Sequence, residues 1–181
     1  VEEYPAYYQY FYLKRHILDA TVSVPGMSKF HVVNTHLEAF SDDGTKRKQI
    51  DQFHAHLTKL NNKGASWVAG GDLNSLPDGS EVLKNFDDEC SESSTSRFKG
   101  DNYEGEQAWL DDLFADFSSL MPLDDYKDDN SLWFSYTGDA SVGWTRTLDY
   151  LFTNGAWLEG EVMQSEEQGG YETLPLSDHA P

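Results

Sequence analysis

A single cysteine, Cys90, is all the thiol chemistry this chain carries. That excludes an internal disulfide framework and a cysteine-rich zinc site. Positive charge is scarce as well: 13 Lys and Arg stand against 32 Asp and Glu, for a formal net charge of −19. A surface of this sign repels nucleic-acid backbones and anionic lipid unless basic side chains cluster or metal ions intervene. No basic run is longer than Lys46-Arg47-Lys48. The charge therefore argues against sequence-independent binding of duplex DNA and leaves a metal-assisted nuclease open. Long apolar runs are missing too, with none approaching the roughly 18 residues of a membrane-spanning helix. No signal-peptide pattern stands at Val1, and the sequence contains neither an internal repeat nor a linker.

What is present suits one domain over residues 1–181, with 38% hydrophobic residues to supply a core. The stretch 7–25 is aromatic and β-branched and reads as strand, closed by a Pro25-Gly26 turn. Residues 29–40 read as a second strand running into a loop. In 45–62 the apolar positions Ile50, Phe53, Leu57 and Leu60 recur at helical spacing, and Asn61-Asn62-Lys63-Gly64 is a helix-ending signal. Trp67-Val68-Ala69 begins a short buried strand, and 80–86 reads as a short helix. Residues 87–106 are acidic and serine-rich and read as a surface excursion. Leu110, Leu113, Phe114 and Phe117 predict a helix over 108–120, and "SLWFSY" and "TLDYLFTN" read as strands. Helices alternate with strands and hairpin-like pairs, which points to mixed sheets with helices outside them.

Four polar clusters sit beside apolar strands: Asn34-Thr35-His36, Asp72-Leu73-Asn74, Asp149 in Thr147-Leu148-Asp149-Tyr150, and Ser177-Asp178-His179. A carboxylate inside an apolar strand is costly to bury unless paired. A histidine partner would solve this, so Asp149 and His179 form a candidate pair of base and orienting acid. If the chain stays extended past residue 72, Asp72 and Asn74 point to one face. An acid and an amide together could orient a water and donate to a developing oxyanion, as phosphate-ester hydrolysis requires. His36 could add a hydrogen bond to the phosphate. Each cluster also has a structural reading. Asp-x-Asn-Ser-x-Pro is a good turn sequence, Asp149 could be a satisfied core acid, and Ser177-Asp178-His179 could be a plain loop. His31, His54, His56, Trp144, Arg146 and Cys90 read as packing, surface or bystander residues.

Taken together, "NTHLEAF", "GGDLNSLP", "RTLDYLFTN" and "LSDHAP" resemble, in order and spacing, signature segments of the endonuclease/exonuclease/phosphatase superfamily of metal-dependent phosphoesterases. The resemblance runs from about residue 10 to the end of the chain. It implies an α+β fold, a four-layer α/β/β/α sandwich of two mixed β-sheets flanked by helices. It implies that Asp72 orients or activates the attacking water, that Asn74 contacts the phosphate, and that His179, held by Asp149, is the catalytic histidine. His36 matches a histidine of the deoxyribonuclease-like and sphingomyelinase-like branches. Asp178 would be a metal ligand, and the metal Mg²⁺, with Mn²⁺ as the alternative. The partner implied is a phosphate-ester substrate. The family's metal-binding Asn and Glu of the first strands have no match here, nor does the strand after "SDHAP". The expectation is a C-terminal two-thirds of the domain, completed by an N-terminal segment or a partner chain. A binding module with a crippled metal site is the alternative.

Overall fold

The computed structural model describes residues 1–3, 14–26, 29–39, 44–81, 103, 105–138, 140–165 and 173–181. Strands β1 (Glu2–Glu3), β2 (His16–Val22), β3 (Phe30–His36), β4 (Ser66–Asp72), β5 (Ser118–Ser119) and β6 (Asp149–Thr153) build one six-stranded sheet in the order β1-β2-β3-β4-β6-β5. The β3–β4 pair is parallel and the other four pairs are antiparallel. A parallel pair needs a crossover, and α1 (Thr45–Asn62) supplies it. The class is thus α+β with a mixed sheet, as expected. Of the two expected sheets, one lies among the described residues.

The sheet's two faces follow from strand alternation. Ile17, Val33, Trp67, Ala69, Tyr150 and Phe152 point to one face and meet Ile50, Phe53, Leu57 and Leu60 of α1. Each of these α1 side chains is almost fully buried, worth roughly 1.5–3 kcal/mol apiece. Lys63 caps the helix, and Gly64, at φ 66°, donates its N–H to Asn61 O at 2.9 Å. Leu18, Val32 and Leu151 point to the opposite face and are exposed. Here the paired glycines of β4 matter. A Cβ on Gly70 would collide with Tyr150 O, and one on Gly71, which also sits at φ 132°, with Thr35 O. Only glycine lets β3 and β6 close on β4 from both sides.

Sequence expectations for three segments are corrected. The helix expected over 108–120 is split into a 3₁₀ turn (Gln107–Trp109), α2 (Asp111–Asp116) and β5. Phe117 is already extended, at φ −131° and ψ 153°. Ser118 and Ser119 then pair with Thr153 and Phe152, and Leu120 N–H donates to Leu151 O at 2.8 Å, so the edge of β6 captures the chain. "SLWFSY" is not a strand. After α3 (Leu123–Asp128) it begins as a 3₁₀ turn (Asn130–Trp133), with the Asp129 carboxylate accepting from Ser131 N–H. It ends in isolated bridges at Tyr136. The expected strand positions 7–13, most of the 80–86 helix, and Cys90 with nearly all of the 87–106 excursion lie outside the described residues. At the end of that excursion Tyr103 and Glu106 are buried, not on the surface. Glu106 receives the ammonium of the fully buried Lys46 at 2.9 Å and the Ser75 hydroxyl at 3.3 Å.

Candidate active site

Register brings three of the sequence candidates into one row. His36 is the Cα partner of Asp72 across β3–β4, and Asp72 is the partner of Asp149 across β4–β6. Adjacent strands lie roughly 4.8 Å apart, so three ionisable side chains emerge side by side at the strand ends. They leave the face opposite α1, the parity shared by Val32, Gly70 and Leu151. His36 Nε2 stands 3.3 Å from Asp72 Oδ2.

His179 completes the group from the C-terminal segment. Its Nδ1 lies 2.7 Å from Asp149 Oδ2, and its Nε2 lies 3.8 Å from Asp72 Oδ2. The segment is sewn in place by residues 135–137. Ala180 N–H donates to Ser135 O, Thr137 N–H donates to Asp178 O, and the Tyr136 ring meets the His179 ring edge-on at 4.9 Å.

Ser135 was not among the sequence candidates. Its hydroxyl donates to Asp149 Oδ2 at 2.8 Å while accepting from the N–H groups of Leu148 and Asp149 at 3.1 and 3.0 Å. Asp149 is therefore held by Ser135 on one side and holds His179 on the other. Nothing in "SLWFSY" signals this, because the serine's partners lie 13 and 14 residues downstream. Arg15 was missed as well. It directly precedes β2, which runs antiparallel to β3, and this carries it to the end of the sheet where His36 lies. Its charge acts on both His36 and Asp72. Its Nε is buried without a hydrogen-bond partner among the described residues. Arg146, read from sequence as a packing or surface residue, is buried, with its guanidinium 4.7 Å from the centre of the Tyr136 ring.

Asn74 departs from the extended geometry expected of it. β4 ends at Asp72 and Asn74 takes a left-handed φ of 48°. Its N–H donates to Asp72 Oδ1 at 2.8 Å, and its buried side-chain amide donates to Leu37 O at 3.1 Å. Asp72 and Asn74 thus do not share a strand face. The turn reading of Asp-x-Asn holds, and the turn fixes the Asp72 carboxylate by one oxygen while Oδ2 faces the two histidines.

The electrostatics separate the groups. Burial, with the nearby Asp149 charge adding to it, pushes the Asp72 carboxyl up to about 6. The hydrogen bond and charge of Asp149 raise His179 above the usual imidazole range, against the opposing effect of burial. Burial, then the charges of Arg15 and His179, lower His36. A carboxylate poised near neutrality, a histidine that keeps its proton and a histidine that sheds it are thus held within one cluster, a pattern common at catalytic sites.

Asp178 lies beside this group with an exposed side chain. Among the described residues no three His, Cys, Asp or Glu side chains are grouped to hold a metal ion. The described residues by themselves therefore do not fit a preformed divalent-cation site.

Strand-end carboxylates and an acid-paired histidine thus meet at one end of a mixed sheet. The chain belongs to the Endonuclease/Exonuclease/phosphatase family, whose sequence model matches residues 1–179. Among solved structures, D. rerio TDP2 complexed with single strand DNA product is 17% identical, with a TM-score of 0.44 over 86% of this chain and 52% of that one. Truncated Caenorhabditis elegans TDP2 is 21% identical, with a TM-score of 0.42 over 82% and 49%. A Staphylococcus aureus beta toxin is 14% identical, with a TM-score of 0.39 over 78% and 43%. The chain spans about half the length of the solved structures it matches. No match is found among curated proteins.

Proposed function

We propose that the chain hydrolyses a phosphoester by in-line attack of water, with residues 1–181 serving one catalytic domain. The observation that carries this reading is the chain of contacts from Ser135 to Asp149 to His179, ending 3.8 Å from Asp72. Asp72 Oδ2 takes a proton from the attacking water as its oxygen bonds to phosphorus. The bond from phosphorus to the leaving oxygen breaks, and His179 Nε2 returns a proton to that oxygen. Asp149 orients His179 throughout and keeps it charged until that transfer. His36 and Arg15 face the phosphoryl oxygens, where positive charge and N–H donors stabilise the transition state. Asn74, whose buried amide is turned to Leu37 O and away from the phosphate contact expected of it, holds the turn that aims Asp72.

Family membership supports a divalent cation, Mg²⁺ or in its place Mn²⁺, which suits hard oxygen donors. Of the described residues Asp178 would contribute one oxygen donor to it, and no step above passes through it. The charge of −19 favours a small or lipid-headgroup phosphoester over duplex nucleic acid.

The test is hydrolysis of an aryl phosphodiester, an inositol phosphate, sphingomyelin, RNA and single- and double-stranded DNA, with Mg²⁺ or with chelator. Metal-dependent turnover that falls roughly 10²–10⁴-fold in His179→Ala is the expected result. Turnover indifferent to His179 would overturn the assignment. One observation, the lack of a grouped metal-ligand set among the described residues, favours a second reading, a binding module on this fold. That reading predicts ligand binding without turnover, equal in wild type and His179→Ala.

A further inference from the structure

A second polar cluster lies away from the catalytic row, at the other end and on the other face of the sheet. A cavity of about 430 Å³ opens between the start of β3 and the C-terminal end of α1, bordered by Lys29, Lys59, Lys63, His31, His56 and Asp19. Its volume falls in the range of small-ligand sites, about 300–1,000 Å³. His31 and His36 share β3 but are an odd number of residues apart, so their side chains leave opposite faces. At about 3.3 Å per residue their backbones are roughly 17 Å apart.

The charge of this cavity runs against that of the molecule. Of 13 Lys and Arg in a chain of net charge −19, three converge here. None of the three forms an ion pair with a carboxylate among the described residues. The one carboxylate on the cavity wall is already engaged. Asp19 Oδ1 takes His31 Nδ1 at 2.7 Å and Oδ2 takes His56 Nε2 at 3.1 Å. Burial works against the Asp19 charge, but the hydrogen bonds and charges of His31 and His56 outweigh it and hold this carboxyl below its ordinary range. His56 is fixed from its other side by Glu2, 3.0 Å from Nδ1. The histidines are thus locked as a rigid wall with the lysines around them. The Glu2 carboxylate that holds His56 also acts on Lys59, but three lysines gathered with no carboxylate in direct contact among the described residues are most simply balanced by an anion from solution.

We propose that this cavity binds a small, multiply charged phosphate compound, and that it is a site separate from the catalytic row. The lysines supply charge as flexible point donors, and the cavity is large enough for more than one phosphoryl group. The proposal concerns binding and does not rest on the reading of the catalytic row.

Titration of the whole chain with pyrophosphate, read by calorimetry, tests it beside the Lys59→Gln/Lys63→Gln double variant and Asp72→Asn. Both lysines are exposed on or just past α1, so the double variant should keep its fold and its phosphoester turnover. The expected result is saturable binding that weakens tenfold or more in the double variant and stays within twofold in Asp72→Asn. Inorganic phosphate should bind the same site more weakly, and a single-stranded oligonucleotide should not displace pyrophosphate. Three results would overturn the proposal. They are no saturable binding, binding lost with Asp72 and not with the lysines, and a lysine-dependent site that takes the oligonucleotide but not pyrophosphate.

Discussion

Asp72 occupies a position whose ionised form the fold disfavours. The rise of its carboxyl from 3.8 to about 6 corresponds to about 3 kcal/mol against the charged state. Because the folded-state value is raised, the group's contribution to stability is fully present below the unfolded value near 4 and is lost as pH climbs through about 6. Asparagine keeps the oxygen that accepts from Asn74 N–H and carries no charge. Asp72→Asn should therefore abolish turnover while gaining stability over wild type, by up to about 3 kcal/mol, between pH 4 and pH 7. Urea unfolding at the two pH values checks this, and a variant less stable than wild type at pH 7 would refute it. On the proposed mechanism the same residue sets the acid limb of activity. Turnover should drop below about pH 6 as Asp72 gains its proton. It should drop again at alkaline pH, above the ordinary imidazole range, as His179 loses the proton that Asp149 helps it keep. At this scale the sequence reached far. The Asp149–His179 pair was legible because an acid in an apolar strand needs a partner. The placement of Asn74 was not, because its left-handed φ breaks the two-residue alternation on which the inference stood.

Between residues and molecule stand the elements, and β4 is the one on which the site depends. It lies between β3 and β6 and ends at Asp72. Its two glycines admit no side chain. Gly71→Ala meets both a backbone carbonyl and a disfavoured φ of 132°, so something must shift. Overpacking of this kind typically costs about 1–3 kcal/mol. The strand end carrying Asp72 would move with it. The variant should show a lower urea midpoint and a loss of turnover larger than its loss of stability explains, and an unchanged midpoint would contradict the packing. Helix α1 was legible almost residue for residue, since its apolar stripe, its length and its Gly64 stop all agree. The region 108–137 was not. Its apolar spacing is helical, but the free edge of β6 competes for the chain at Ser118–Ser119. A tertiary hydrogen-bonding opportunity then overrides local periodicity.

At the scale of the whole molecule the dominant fact is a charge of −19. An anionic substrate approaches against a repulsive field that salt screens, with a Debye length of about 30 Å at 0.01 M and about 8 Å at 0.15 M. KM for a phosphodiester should therefore fall as monovalent salt rises over that range at fixed Mg²⁺, with kcat little changed. This is the reverse of the behaviour of a protein that binds nucleic acid through released counterions. Steady-state kinetics at several ionic strengths decide between them, and a KM that rises with salt would locate substrate binding in a basic surface.

The sequence by itself determined the class of fold, helix α1, strands β3, β4 and β6, and the candidates His36, Asp72, Asn74, Asp149, Asp178 and His179. The elements were legible because periodicity and turn chemistry are local properties, written within a few residues of where they act, and the candidates because short polar motifs beside the strands resemble, in order and spacing, those of the family. Tertiary structure alone decided that His36, Asp72 and Asp149 stand in one row, since strand register is fixed by pairing between distant segments. It decided that Ser135 and Arg15 join them, since neither lies near its partners along the chain. It also decided that three lysines from two separate stretches gather around one cavity in an acidic protein, a juxtaposition no local pattern of residues records.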